Sequence, residues 1–251
     1  MTGRLDVVGI GPGDAALVTP AARHALEDAQ ALFGYGPYLA RVPHQPGQQR
    51  HPTDNREEMD RAAAALDAAV AGTRVALVTG GDPGVFAMAA AVCEAIENGP
   101  PAWREVDLAI HPGITAMLAL AARAGAPLGH DFCAISLSDN LKPWPVVEQR
   151  LAAAAGAGFA IALYNPVSRA RPWQLGAAFT CVGRHLPPEV PVIFGHAVAR
   201  AAEQVLIVPL GEAASQPASM ASCIIIGTRQ THVIARPGRA PLAYTSRRLS
   251  A

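Results

Sequence analysis

The chain has 251 residues, 51% hydrophobic and only 16% charged, which is apolar material for one large or two ordinary α/β domains and argues against disorder. Its 20 basic and 20 acidic side chains cancel, leaving no basic footprint of the kind a nucleic-acid partner requires. No apolar stretch is long enough to span a membrane, and the N-terminus runs into a strand without a basic n-region or apolar h-region, so the expectation is a soluble, cytoplasmic protein.

Strands and helices alternate along the chain. Leu5 to Ile10 reads as a buried strand, and Thr19-Pro20 supplies an N-cap and a first-turn proline for a helix running to about Ala29. Ala31 to Tyr35 is a second strand; Gly36 to Thr53 is long, polar and proline-rich and reads as an active-site loop. Asp54 and Glu57 resemble a capping box for a helix to about Val70. Strand Val75 to Val78, helix Val85 to Glu97, strand Val106 to His111 and helix Ile114 to Ala124 follow. Gly125-Ala126-Pro127-Leu128-Gly129 then breaks the pattern, predicting an N-terminal domain over 1–124 and a C-terminal domain over 125–251. Beyond the break come strand Phe132 to Leu137, helix Val146 to Ala155, strand Phe159 to Tyr164 and helix Pro172 to His185. Val192 to His196, Gln204 to Val208, Cys223 to Thr228 and Thr231 to Ala235 read as further strands. The alternation implies an α/β fold with mostly parallel sheets flanked by helices. Cys93, Cys133, Cys181 and Cys223 lie far apart in apolar runs, which suits buried free thiols and not metal ligands.

Two glycine-rich turns follow apolar strands, Gly9-Ile10-Gly11-Pro12-Gly13-Asp14 and Gly80-Gly81-Asp82-Pro83-Gly84. Turns of this kind at strand carboxyl ends are where open α/β sheets bind ligands. The first is no dinucleotide fingerprint: Asp14 stands where a third glycine is needed, and the second strand ends in Gly34-Tyr35-Gly36 without the ribose-binding acid. No Gly-Lys-Ser/Thr follows either turn, which excludes a P-loop. Either turn can also be purely structural, with Asp14 capping the next helix. Around Asp82, a carboxylate beside backbone amides suits a ligand with both donors and acceptors, such as a ribose or an amino-acid group. His111-Pro112-Gly113-Ile114-Thr115-Ala116, Tyr164-Asn165-Pro166 and His130-Asp131 mark further junctions, each read as lying at a strand carboxyl end and together suggesting one cleft between the domains. Taken singly, such histidines are more often satisfied polar groups than catalysts. After Glu212 no acid follows, yet Arg229, Arg236, Arg239, Arg247 and Arg248 do: either a solvated face or a docking surface for a polyanion.

Gly9-Ile-Gly-Pro-Gly-Asp14, Gly80-Gly-Asp-Pro83, Pro112-Gly-Ile-Thr-Ala116 and Cys223-Ile-Ile-Ile-Gly227 resemble the tetrapyrrole (corrin/porphyrin) methylases, two-domain α/β enzymes that use S-adenosyl-methionine in a cleft between their domains. The resemblance runs from Leu5 to about Thr228. Gly34-Tyr35-Gly-Pro-Tyr38, the run Gly129 to Trp144, and Tyr164-Asn-Pro-Val-Ser-Arg169 are similar to the branch of precorrin C17-methyltransferases of cobalamin biosynthesis, which also contract the ring. Branches acting at C11, C20 or on uroporphyrinogen III, or a non-catalytic tetrapyrrole-binding protein, are the alternatives. Departures are modest: His111 replaces the usual apolar residue before Pro112, and an asparagine expected near His196 is absent. The resemblance implies a cofactor site of Pro12, Gly80, Gly81, Asp82, Val85, Phe86, Thr115, Ala116, Tyr164, Asn165, Ala197, Ala221, Ser222 and Cys223. Pro12 and Asp14 would lie towards the substrate, and Asp14, Tyr35, Tyr38 and His130 are the candidates for proton transfer, with Asp131 beside them. No metal is implied; the expected partner is a small tetrapyrrole and the expected assembly a homodimer.

Overall fold

The computed structural model describes residues 3–54 and 57–248, and the chain divides into two compact units, Met1–Thr115 and Ala116–Ala251. The glycine–proline break at 125–129 lies nine residues past this division. The difference is one helix, Ala116–Ala124, whose neighbours are strands of the second unit.

The first unit runs β1 (Arg4–Gly9), α1 (Pro20–Asp28), β2 (Ala31–Tyr35), α2 (Gly36–Leu39), β3 (Gln49–Thr53), α3 (Glu58–Val70), β4 (Arg74–Thr79), α4 (Met88–Asn98) and β5 (Asp107–His111). Its sheet, in the order β3-β2-β4-β1-β5, is parallel throughout. Both faces are covered, which is why its inner strands β1, β2 and β4 are apolar on successive residues. Leu5, Val7, Phe33, Val75 and Leu77 pack on one side with α3 and α4 residues such as Leu66 and Val92. Val8, Leu32, Ala76 and Val78 pack on the other with Ala22, Leu26 and Leu39. The exception in β1 is Asp6, only 6% exposed. It takes a hydrogen bond from Arg4 Nε at 3.0 Å and lies 2.6 Å from His111 Nε2. His111 thus gives a buried carboxylate the polar partner that its burial requires.

Two corrections concern this unit. The stretch Gly36 to Thr53, expected as one irregular loop, contains α2 and β3. Pro37 sits in the first turn of α2, where its missing N–H costs nothing. β3 pairs only with β2 at the sheet edge, the one place where Pro52 and a polar strand are tolerated. Arg50 closes the intervening loop by donating to the carbonyls of Leu39, Val42 and Pro43. The helix expected from Val85 begins at Met88, because Phe86 adopts φ 52° and extends the turn.

The second unit contains α5 (Ala116–Ala124), β6 (Gly125–Ala126), β7 (Phe132–Ser136), α6 (Trp144–Gly156), β8 (Ala160–Tyr164), α7 (Gln174–Val182), β9 (Pro191–His196), β10 (Gln204–Pro209), α8 (Leu210–Ala213), β11 (Ser222–Ile226), β12 (Thr231–Ile234) and β13 (Leu242–Thr245). The main sheet has the order β10-β9-β11-β8-β7. Only β7 and β8 are parallel; β8, β11, β9 and β10 pair antiparallel. The expectation of parallel pairing thus holds for the first sheet and for one pair of the second. A small third sheet, β12-β13-β6, lies in the same unit. Within it Thr231, Thr245 and the Pro127 carbonyl form a buried hydrogen-bonded chain.

All four cysteines are free, as the sequence suggests, but Cys93 is exposed on α4 and Cys133 is half-buried. Burial pushes the Cys223 thiol up to about 12, so it stays protonated and is no nucleophile near neutral pH.

Candidate functional site

The carboxyl end of the first sheet is assembled by glycine turns in direct backbone contact. Gly11 and Gly81 exchange hydrogen bonds, N to O at 3.2 Å and 2.9 Å. A Cβ on Gly9 would stand 2.6 Å from the Gly81 carbonyl oxygen and 2.9 Å from the Gly113 nitrogen. A Cβ on Gly113 would stand 2.1 Å from that same oxygen. No side chain fits at either position, because the obstacle is main chain and cannot turn aside. The turns after β1, β4 and β5 are thereby fused into one surface.

Asp82 completes the fusion. Its Oδ1 accepts from the Gly84 amide at 2.8 Å, and its Oδ2 accepts from the Gly113 amide at 3.0 Å. The sequence suggests this carboxylate as a ligand group; in the structure each of its two oxygens accepts from an amide that shapes the turns. The Gly81 amide is likewise bonded, to Gly11. Thr19, read as the cap of α1, does cap it by accepting from Ala22, and its hydroxyl also donates to the Pro112 carbonyl at 3.3 Å. Arg41, which sequence reasoning missed, donates through Nη2 to the carbonyls of Ile10 and Gly11, both at 3.0 Å.

Tyr35 ends β2 and Tyr38 lies in α2; their rings meet edge-on with centroids 5.3 Å apart. Tyr38 rests on Gly80, where a Cβ would come within 2.8 Å of its ring and 3.2 Å of its hydroxyl oxygen. Gly80 is therefore what admits the tyrosine to the edge of the β4 turn. Asp14 is exposed and caps the short 3₁₀ turn Ala15–Leu17, accepting from the Ala16 amide at 2.8 Å. Pro12 is buried within its turn, and Thr115, only 5% exposed, follows the β5 turn. Every first-unit candidate thus falls at the carboxyl end of the first sheet or in the loops directly following it.

In the second unit, register places most candidates at one end of the main sheet. Tyr164 ends β8 opposite Ser136 of β7, Ser222 faces His196, and Cys223 faces Gly195. The carboxyl ends of β7, β8 and β9 and the amino end of β11 therefore coincide. The Tyr164 hydroxyl accepts from the Met117 amide at 3.0 Å, in the first turn of α5 beside Ala116. Asn165 donates to Ser136 Oγ at 2.9 Å, and Ala197 N–H donates to the Ala221 carbonyl at 3.0 Å. His130 is a correction. It precedes Phe132, which pairs with Ala160 at the start of β8, so it lies before the amino end of β7, and Phe132 itself is already roughly 13 Å along the sheet from the Tyr164 end by strand geometry. Its Nδ1 accepts from the Asp131 amide at 2.8 Å.

Among the described residues, four non-glycine residues have positive φ: Phe86 (52°), Asn165 (51°), Ala197 (46°) and Ala199 (60°). Three of them belong to the expected cofactor set and the fourth is two residues away. Such strained backbone persists only where its surroundings enforce it, and it gathers at ligand sites. Phe86 is also 51% exposed, an apolar ring offered to solvent beside the turn. Within the first unit, half-buried Val85 and exposed Phe86 beside the backbone polar groups of the β4 turn suit an apolar, hydrogen-bonding ligand better than a highly charged one. Among the described residues no group of three metal-ligating side chains occurs.

The family model for Tetrapyrrole (Corrin/Porphyrin) Methylases matches residues 4–214. A curated precorrin-3B C(17)-methyltransferase from Sinorhizobium sp is 60% identical over 247 residues, covering 98% of this chain and 97% of that one. The crystal structure of the methyltransferase CobJ superposes with a TM-score of 0.92 at 45% identity, covering 97% of this chain and 100% of that chain. A uroporphyrin-III C-methyltransferase from Thermus thermophilus, solved with S-adenosyl homocysteine, shares the fold at a TM-score of 0.68 and 23% identity, covering 90% and 97% of the two chains.

The turn packing carries a direct test. Gly113→Ala forces a methyl group against the Gly81 carbonyl and should destabilise the protein by about 3 kcal/mol, the upper end for overpacking because the obstacle is backbone. Denaturant unfolding measures it; a loss below the noise would contradict the packing.

Proposed function

The chain belongs to the tetrapyrrole (corrin/porphyrin) methylases, and from that premise we propose that it methylates C17 of precorrin-3B with S-adenosyl-methionine and contracts the macrocycle in cobalamin biosynthesis. The observation that carries the cofactor reading is the coincidence of left-handed residues with Phe86, Asn165 and Ala197. The substrate reading is supported by full-length similarity to the Sinorhizobium enzyme. The cofactor supplies an electrophilic methyl group on a sulfonium and leaves as S-adenosyl-homocysteine. Gly80 to Phe86 and Pro12, with Thr115 and Ala116, would hold it from the turns of the first sheet and the start of α5. Tyr164, Asn165, Ala197 and Ala221 to Cys223 would hold it from the second sheet.

The work left to the protein is alignment and exclusion of water. Alignment alone lowers a barrier by about 7–11 kcal/mol, and rigid backbone turns supply it without charged catalytic groups. Contraction needs a base near a tertiary hydroxyl and an acid near an acyl group. Tyr35, Tyr38 and Asp14 stand at the carboxyl end of the first sheet, whereas His130 stands at the amino end of β7, so the tyrosines and Asp14 are the stronger candidates. Of the arginine tail, Arg236 donates to the Ala240 carbonyl and Arg229 to the His185 carbonyl. Arg239, Arg247 and Arg248 are exposed and are the residues left to meet substrate carboxylates.

We place the enzyme in the cytoplasm as a homodimer. Val205 and Leu206 on the edge strand β10, with Val233, Ile234 and Tyr244 on β12 and β13, are exposed apolar side chains that a second copy would cover. Sedimentation at the mass of a single chain would overturn the dimer.

Incubation with S-adenosyl-methionine and a panel of precorrins and their cobalt-containing counterparts, followed by mass and NMR analysis, tests the reaction. A single methyl group at C17 of precorrin-3B is expected, with methylation at C11 or C20, or no turnover, as the refuting results. Tyr38→Phe should leave a methylated, uncontracted product; if Tyr35→Phe, Tyr38→Phe and Asp14→Asn all lose both steps together, proton transfer is not divided as proposed. Asp82→Ala removes two hydrogen bonds that shape the turn, each worth about 1 kcal/mol, and should weaken S-adenosyl-homocysteine binding about tenfold by titration calorimetry. Unchanged affinity in a folded variant would remove Gly80 to Phe86 from the cofactor site.

A further inference from the structure

The turn that follows β9 contains two left-handed alanines one residue apart, Ala197 and Ala199. Both are buried, as is Val198 between them. An L-residue in this conformation crowds its Cβ against the backbone, a cost that glycine escapes. Two such residues in one short turn do not stay there unaided. The backbone supplies part of the restraint: Ala197 N–H donates to the Ala221 carbonyl, Arg200 N–H to Ala197, and Glu203 N–H to Arg200, each at 3.0 Å. The remainder comes from one side chain. Glu203 Oε2 accepts from the amide of Ala199. The same carboxylate takes Arg123 Nε at 3.0 Å and 3.1 Å. The Ala199 amide, and after it the Arg123 guanidinium, holds the Glu203 carboxyl below the usual carboxylate range.

Arg123 lies near the end of α5, the helix that begins at Ala116 and whose Met117 amide is bonded to Tyr164. The carboxylate therefore ties the Ala197–Ala199 turn to the helix that holds the Tyr164 hydroxyl. We propose that Glu203, oriented by Arg123, is a positioning residue for the adenosyl group: it locks Ala199 left-handed and thereby fixes Ala197 against Ala221. The proposal rests on the reading that Ala197 and Ala221 to Cys223 flank the cofactor. Neither Glu203 nor Arg123 need touch it.

Titration calorimetry with S-adenosyl-homocysteine tests this on the whole protein. Glu203→Ala should raise Kd about tenfold, the factor that corresponds to losing the restraint on one left-handed alanine. Adding Ala199→Gly to that variant should restore affinity to within about threefold of the parent, because glycine holds the conformation without the carboxylate. A carboxylate that served only general stability would not be rescued by removing one methyl group from the turn. Parent-like affinity in Glu203→Ala, or a double variant as weak as the single one, overturns the proposal. Should Glu203→Ala fail to fold, Arg123→Gln with and without Ala199→Gly makes the same comparison with a smaller loss, and the same two outcomes decide it. Failure of the underlying cofactor reading is separate: affinity would then be indifferent to Asp82→Ala and to Ala197→Leu as well, whereas a protein that responds to those two but not to Glu203 refutes only the positioning role.

Discussion

The first unit depends on three peptide segments pressed against each other with nothing between them. Gly9, Gly81 and Gly113 meet main chain to main chain, at distances where a single added methyl group would collide with a carbonyl oxygen. Parallel strands deliver their ends to one side of a sheet in any fold of this class. What is particular here is that the ends are bolted together, by the reciprocal Gly11–Gly81 pair and by Asp82 reaching across to Gly113. A ligand meeting this surface encounters preset amides and carbonyls, and little of its binding energy goes into ordering a loop.

The second unit reaches a similar end by a different route. Its strand termini carry few glycines, and the backbone at Asn165, Ala197 and Ala199 is held in conformations their side chains disfavour. The restraint comes from Ser136 on Asn165 and from Glu203 and the Ala221 carbonyl on the alanine turn. One unit removes side chains so that backbones can touch; the other keeps them and opposes the resulting strain with hydrogen bonds.

Much of this was legible in the residues. Apolar runs between turn signals located ten of the thirteen strands among the described residues, missing β3, β6 and β13, and Thr19-Pro20 marked a real helix start whose cap bond is present. The glycine positions marked where the turns after β1, β4 and β5 pack together, because glycine is informative wherever a Cβ is forbidden. Other features left no local trace. β3 escaped because Pro52 and its polar neighbours contradict a strand unless the strand is an edge. The antiparallel pairing in the second sheet escaped because short apolar runs do not encode direction. His130 looked like part of the cluster because a histidine beside a hinge reads the same at either end of a strand. Asp82 was visible as a carboxylate in a glycine turn, but not that both its oxygens face the protein. Arg123 and Glu203 stand 80 residues apart in the chain, and nothing in either neighbourhood announces the other.

The closures around the β4 turn also bear on how such a chain can change in length. Gly81 is tied to Gly11 and the adjacent Asp82 to Gly113, so two fixed points stand on consecutive residues with no slack between them. An inserted residue there would have to break one tie or buckle a strand. The stretch from Pro43 to Gln48 is anchored at its ends, by Arg50 on the Pro43 carbonyl and by Gln48 on the carbonyls of Leu26 and Ala29, and the glycine between them, Gly47, has open space around it. Insertions and deletions in descendants of this sequence should therefore accumulate in that loop, while the glycine turn keeps its residue count even where its flanking helices drift.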